Sequence, residues 1–414
     1  MWPRAWGVRC DPDTENFPRV TPSMPSVVFV ARPLPSDIGP GGKHRTYQLE
    51  HDLKAGFGED RVHTLSLMDW RARHAGGQAA PTSPPPLTQR IVRRMGECLD
   101  NPFGVLHGTG YSSRTFAPRG FVREYRALLT GLPRPIVTVI DDARFTGIVD
   151  VAREFDVPVV AITHNLESLD LAAADPHGSW GLRTHLVDFA NELGHLQRCA
   201  GRMFISKVET GLVGGFGMEA EHYPYRPVGA IRERLEAIRQ ARRQAEQEPG
   251  LFLLLGSAMH GTTHRAFEWF LAQARQHGLP AGVRLVLAGM GTDTLDLRGT
   301  ADIEALGWVS QPDLDRLLTH ARAVVVPQFS GFGSVTRLVE LSCAGVPSLT
   351  PAHTTFAIDL PPGVHVLGHA WPQWHDLLRE LARSPRQDAW DYPAWEAVQP
   401  QTLHRYLSRW NREA

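Results

Sequence analysis

The sequence predicts an α/β protein built from two doubly wound, parallel-sheet domains. Three observations carry this. Short β-branched or apolar runs, bounded by glycine, proline and polar residues, recur along the chain with helical segments between them. Polar residues follow the C-terminal ends of those runs, where ligands of such sheets bind. A length of 414 residues suffices for two ordinary domains.

Taken in order, residues 1–24 are Pro-rich and aperiodic, and are expected to be a flexible tail. Residues 26–31 read as a buried strand. A glycine loop follows, with the helix expected to start near Arg45. Gly41 and Gly42 allow close backbone approach to a ligand. Lys43, His44 and Arg45 cluster at the helix start, where cations oppose the dipole unless something anionic is near. Residues 75–86 are low-complexity and predict a surface loop, 87–99 a helix, and 103–106 a strand ending at His107. Further strands are expected at 136–140, 159–162 and 203–206. The second of these ends in Thr163-His164-Asn165, and an amphipathic helix over 180–199 precedes the third. Residues 224–229 look like the exit from a first domain spanning 25–228.

The second domain, 229–392, opens with a charged helix over 231–247 and then the apolar strand 251–255, which runs into Gly256-Ser257, an arrangement suited to phosphate. A strand at 283–288, ending at Gly289, follows. Residues 323–350 concentrate the chemistry. Val324, Val325 and Val326 suit a strand buried on both faces, and Gly331 and Gly333 open a loop. Ser334 or Thr336 is positioned to cap the next helix, which Gly345 and Pro347 close. A helix N-terminus reached through such a loop is an anion site. Arg337 adds a guanidinium fork suited to phosphate. Glu340, one turn on, can accept hydrogen bonds from a ribose diol. A final helix over 400–412, in the segment 393–414, ends a Trp-rich stretch (Trp390, Trp395, Trp410).

Composition excludes several classes. Hydrophobic content of 42% and charged content of 21% are those of a globular protein, and no apolar run reaches the roughly 20 residues of a membrane span. A formal charge of −1 argues against a general nucleic-acid footprint. Cys10, Cys98, Cys199 and Cys343 are scattered, with no metal-ligand spacing. These features predict a cytoplasmic, metal-independent protein, and the preference for arginine over lysine suggests a GC-rich bacterial genome.

Gly-Phe-Gly at 331–333, Thr-Arg-Leu-Val-Glu at 336–340 and Ala-Gly-Val-Pro at 344–347 together resemble the C-terminal signature of family 4 glycosyltransferases. Strand-Gly256-Ser257, Gly289-Met290-Gly291 and Leu306-Gly307-Trp308-Val309 precede them in the right order. The resemblance implies the GT-B fold, with two Rossmann-like domains facing across a cleft and a final helix crossing back to the first. It implies transfer of a sugar, with retention, from a UDP- or GDP-linked donor and without a required cofactor. By it, Glu340 contacts the ribose and Ser334, Val335 and Thr336 hold the diphosphate. Val309 and Ser310 wall the nucleobase pocket, and His164 approaches the transferred sugar. The acceptor is a glycan, a lipid-linked glycan, a protein or a small metabolite, and peripheral association with the inner face of the membrane is compatible with this reading. The sequence departs from the family where a second glutamate is usual: Phe332 or Ser330 stands there. The usual basic pair after Ser257 is also absent, with His260 and His264 as substitutes. A GT-B epimerase and a non-catalytic nucleotide-sugar binder remain alternatives.

Overall fold

The computed structural model describes residues 24–39, 41–74, 117–174, 181–246, 248, 250–384, 390–399, 403, 406 and 407. The expectations for residues 1–23, 75–86, 87–99, 103–106 with His107, and Trp410 fall outside them.

Among the described residues there are two six-stranded sheets, each wholly parallel. The first holds β1 (Ser26–Ala31), β2 (Val62–Ser66), β3 (Ile136–Ile140), β4 (Val159–Thr163), β5 (Gly201–Phe204) and β6 (Glu221–His222), in the order β2-β1-β3-β4-β5-β6. The second holds β7 (Leu251–Leu255), β8 (Arg284–Ala288), β9 (Ile303–Ala305), β10 (Ala323–Val325), β11 (Ser348–Pro351) and β12 (Val364–Leu367), in the order β12-β11-β10-β7-β8-β9. The central strands β1, β3, β4 and β7 are buried at every residue, as continuous apolar runs between two helix layers should be. Strands β2, β6 and β12 sit at sheet edges and were not legible as apolar runs. His63 and Thr64 interrupt β2, β6 has two residues, and β12 is half-exposed.

The helices between them are α1 (Gly41–Phe57), α2 (Leu67–His74), α3 (Arg119–Gly131), α4 (Thr146–Glu154), α5 (Glu167–Ala174), α6 (Gly181–Gln197), α7 (Lys207–Gly215), α8 (Gly229–Gln244), α9 (Gly261–His277), α10 (Gln311–His320), α11 (Thr336–Cys343), α12 (Trp371–Arg383) and α13 (Tyr392–Ala397). None of them is long and apolar enough to cross a membrane.

The C-terminal region divides differently from the expectation for its tryptophans. Trp390 and Trp395 pack against the second sheet's core, and the Trp390 indole N–H donates to Ser342 O at 2.9 Å. Leu403, Tyr406 and Leu407 instead bury among Val27, Phe29 and Val137 of the first sheet. The Tyr406 hydroxyl accepts from Arg202 N at 3.1 Å.

Candidate functional site

The second sheet reverses its winding between β7 and β10, and ligands of doubly wound sheets bind outside the strand ends at such a point. Here glycine lets the strand ends approach each other closely. Gly256 (φ 151°) follows β7 and Gly289 (φ 139°) follows β8, and a Cβ on Gly289 would stand 2.0 Å from Gly256 O. Any side chain there would collide with backbone. Arg337, in the first turn of α11, donates from Nη1 to Leu255 O, and its Nη2 lies 3.0 Å from where a Gly256 Cβ would be. The guanidinium therefore crosses the end of β7 at the switch point. Burial lowers its pKa, with the Glu340 charge acting against that. The Ser257 hydroxyl accepts from Met259 N at 3.3 Å, within its own turn.

Helix α11 starts without a side-chain cap: Val335 is the capping residue, in place of the expected Ser334 or Thr336. Thr336 N donates to Ser334 O at 3.0 Å, and the Ser334 hydroxyl is buried with no partner among the described residues. That hydroxyl therefore makes no hydrogen bond to the α11 amides. The expected pocket wall at 309–310 is also modified. Strand β9 ends at Ala305, Val309 packs against the core, and Ser310 caps α10 by accepting from Asp313 N. Gly289 N donates to Gly307 O at 2.8 Å, which draws the 307–310 segment towards the glycine positions.

Across the cleft, α1 begins at Gly41, four residues before the expected start. Gly41 and Gly42 form its first turn, and a Cβ on Gly41 would fall 2.1 Å from Thr336 Oγ1. The absence of that Cβ lets the N-termini of α1 and α11 meet. Both are positive dipole ends, so their approach favours an anion between or beside them. The basic cluster at 43–45 divides in role. Arg45 is buried and structural, donating to Gln48 Oε1 (2.7 Å), Pro224 O (3.1 Å) and Tyr223 O (2.7 Å), and burial pulls its pKa down to about 10. His44 finds its anion in Glu340: Nδ1 lies 2.7 Å from Oε1. The Tyr225 hydroxyl donates to the same oxygen at 2.7 Å. Burial would raise the Glu340 pKa, but His44, Tyr225 and Arg234 outweigh it and hold it at about 2. The carboxylate is thus ionised and fixed through Oε1, while Oε2 makes no hydrogen bond to a described residue.

On the first-domain wall, His164 follows β4. Its Nε2 lies 3.2 Å from Thr46 Oγ1 and 3.4 Å from Asp141 Oδ2, and its Nδ1 would sit 3.8 Å from a Cβ on Gly42. The Thr46 hydroxyl has two acceptors in reach, Asp141 Oδ2 at 3.1 Å and Gly42 O at 3.2 Å, and the His164 Nδ1 faces α1. Asp141 is buried after β3 and also accepts from Arg32 N at 2.9 Å. Beside it lies a charge network: Arg144 to Asp142 at 2.7 Å and to Glu167 at 3.1 Å. Glu192 caps α5, accepting from Glu167 N and Ser168 N, both at 3.0 Å.

Glu209 escaped the sequence reading. Ser206-x-x-Glu209 spells a capping box, and Ser206 does accept from Glu209 N. The Glu209 carboxyl, however, reaches across the cleft. Oε1 accepts from Leu166 N (2.6 Å) in the first domain and from Gly333 N (3.1 Å) in the glycine loop. Burial raises its pKa to about 8. Glu209 Oε2 and Asn165 Oδ1 are, like Ser334 Oγ, buried without a partner among the described residues. Asp170 makes a parallel bridge, accepting from Phe332 N at 3.3 Å and lying 3.6 Å from His260 Nε2. The hydrogen bond and charge of that carboxylate raise the His260 pKa. So His260 is turned to the first domain. Tyr225, Asp141 and Glu209 were not among the expected site residues, and His44 was expected only as part of the 43–45 cluster, without its link to Glu340. The Asp141-Asp142 pair directly after a buried strand was the one signal that sequence offered.

No protein-family model matches the chain, and no curated protein matches it in sequence. Solved structures do match in shape. Anabaena HepE in complex with UDP aligns over 94% of this chain and 100% of its own, with a TM-score of 0.57 and 11% identity. The same protein with UDP-glucose aligns with a TM-score of 0.53 at 11% identity, over 94% and 98% of the two chains. A UDP-forming α,α-trehalose-phosphate synthase from Burkholderia vietnamiensis aligns with a TM-score of 0.56 at 12% identity, over 94% and 100%. Two Rossmann-like parallel-sheet domains facing across a cleft define this chain as GT-B in architecture, the fold of those glycosyltransferases.

Proposed function

We propose that this chain is a glycosyltransferase that moves a sugar from a UDP-linked donor to an acceptor, with retention of configuration. The observation that carries the reading is the meeting of two helix N-termini, α1 and α11, at a glycine-lined switch point with Arg337 across it. That is a place built for a diphosphate. Glu340, ionised and oriented through Oε1, offers Oε2 to a ribose hydroxyl. Gly256 and Gly289 let the ends of β7 and β8 close up beside the nucleotide site, and Val309 borders the base. His164, steered by Asp141 and Thr46, stands on the opposite wall, where the transferred sugar lies. Departure of UDP develops negative charge on the diphosphate, and preorganised donors at that position lower the barrier without reorganising. The α11 amides, Arg337 and Lys43 supply this charge stabilisation. The neighbours that bind UDP and UDP-glucose support uracil as the base.

Incubation with UDP-glucose and other UDP-sugars, with UDP release measured, tests the reading. Release that an acceptor accelerates, with an α-linked product from an α-linked donor, is the expected outcome. Binding without release would instead favour a nucleotide-sugar binding protein, for which Ser330 and Phe332 in place of a glutamate are the favouring observation. Failure to bind any UDP-sugar overturns both.

A further inference from the structure

The first turn of α7 lies against the second domain: Lys207 N donates to Ala357 O at 2.8 Å. Ser206 caps the helix by accepting from Glu209 N, so the backbone is fixed where the Glu209 side chain leaves it. That side chain is wholly buried. A single oxygen, Oε1, accepts from both Leu166 N at 2.6 Å and Gly333 N at 3.1 Å. These two amides belong to the two loops that carry the proposed chemistry. Leu166 stands two residues after His164, and Gly333 immediately precedes the 334–336 segment that leads into Arg337. The loops touch at this point. A Cβ on Gly333 (φ 78°) would lie 3.0 Å from both Asn165 Cβ and His164 O, so glycine is what lets them approach so closely.

We propose that Glu209 is a positioning residue for sugar transfer: by holding Leu166 N and Gly333 N on one oxygen, it sets the distance between the loop that carries His164 and the N-terminus of α11. The inference rests on the transferase reading and adds a residue that acts through two loops rather than on the substrate. His164 and Arg337 follow strands of different sheets, so their spacing depends on contacts across the cleft. Glu209 makes such a contact at the point where both loops lead directly into the site. Misplacement of reacting groups by about 1 Å can cost roughly a hundred-fold in rate. With its pKa raised to about 8 by burial, the carboxyl is mostly protonated at neutral pH and serves the amides as a neutral acceptor. Glutamine is therefore its matched replacement, since the carboxamide oxygen can accept the same two bonds. Aspartate keeps the acid but is one methylene shorter, and from the same backbone position it cannot span to both amides.

The test compares Glu209→Ala, Glu209→Asp and Glu209→Gln in the whole protein at neutral pH. UDP release from UDP-sugars gives turnover, calorimetry gives UDP affinity, and amide hydrogen exchange follows the two loops. The Ala and Asp variants should lose about a hundred-fold in kcat. Their UDP affinity should stay within about three-fold of wild type, the split expected when an interaction serves the transition state rather than ground-state binding. Exchange over 164–168 and 331–336 should quicken together in both. The Gln variant should restore turnover and slow exchange. A purely structural role would lower the melting temperature without that split and would overturn the proposal. So would wild-type kcat in the Ala variant, a fall in UDP affinity matching the fall in kcat, or a Gln variant as slow as Ala. If the wild type itself releases no UDP from any UDP-sugar, the transferase reading fails and the positioning role with it. If wild type and Ala variant turn over alike, only the positioning role falls.

Discussion

The two sheets share an architecture but meet the cleft with different chemistry. The second sheet's strand ends present backbone: Gly256, Gly289, Gly331 and Gly333 all have positive φ, and the charge comes from Arg337 and a helix end. The first sheet's strand ends present side chains, chiefly carboxyls: Asp141, Asp142, Glu167 and, from α7, Glu209. A diphosphate is the same in every nucleotide sugar, so bare amides and one guanidinium suffice to hold it. Hydroxyls and developing charge on a sugar need groups placed individually. On the proposed reading, the donor side is set mainly by backbone shape and the opposite wall mainly by side-chain electrostatics.

Arg337→Ala should break the donor side most severely, removing nearly all transfer activity. UDP affinity should fall more than UMP affinity, since the lost charge lies at the diphosphate. Equal affinities of variant and wild type for both nucleotides would remove Arg337 from the phosphate site. A melting curve is run alongside, because the guanidinium also bonds Leu255 O.

His164→Ala is the matching break on the other wall. Turnover should drop by about two orders of magnitude, the lower part of the range for a positioned side chain in proton transfer or charge stabilisation. UDP affinity should hardly move, because His164 and the switch point of the second sheet belong to different domains. Comparable losses in both quantities would mean that the cleft itself has collapsed.

Glu340→Ala sharpens the comparison from the second domain. A lost charge-assisted hydrogen bond is worth about 1.5–3 kcal/mol, so UDP affinity should fall roughly ten-fold or more. Uridine titration checks the ribose role: the deficit should persist with the nucleoside. A deficit confined to UDP would assign Glu340 to the cleft contact with His44 instead.

The smallest effect separates the walls by pH. Glu209 has a pKa of about 8 in the folded protein, above that of an exposed carboxyl. Burial is the main cause, and the nearby charges of Glu192 and Asp170 add to it, against the amides of Leu166 and Gly333. The folded state therefore holds a proton that the unfolded chain releases, and stability falls as pH rises from about 4.5 to about 8. Glu192, raised to about 7, contributes in the same direction. Glu209→Gln keeps a neutral group of the same shape, so the melting temperature should decline less steeply over that window. An unchanged slope would show that Glu209 is ionised throughout.

Much of the fold was legible because buried parallel strands leave apolar runs: 26–31, 136–140 and 251–255 agree with β1, β3 and β7. The edge strands were not, since half-solvated strands carry no such run. The Gly-Phe-Gly loop and Glu340 could be found because they are close in sequence and belong to one loop and helix. The contacts of His44 and Tyr225 with that glutamate could not, because they reach it from 296 and 115 residues away. Sequence alone determined the two-sheet class, the glycines that let the strand ends close up at the switch point and the acid on α11. Only the tertiary structure decided which oxygen of that acid stays free. It likewise turned Glu209 from a helix cap into a bridge between domains. Both outcomes depend on how the two sheets face one another, and that arises from packing between residues with no local signal to connect them.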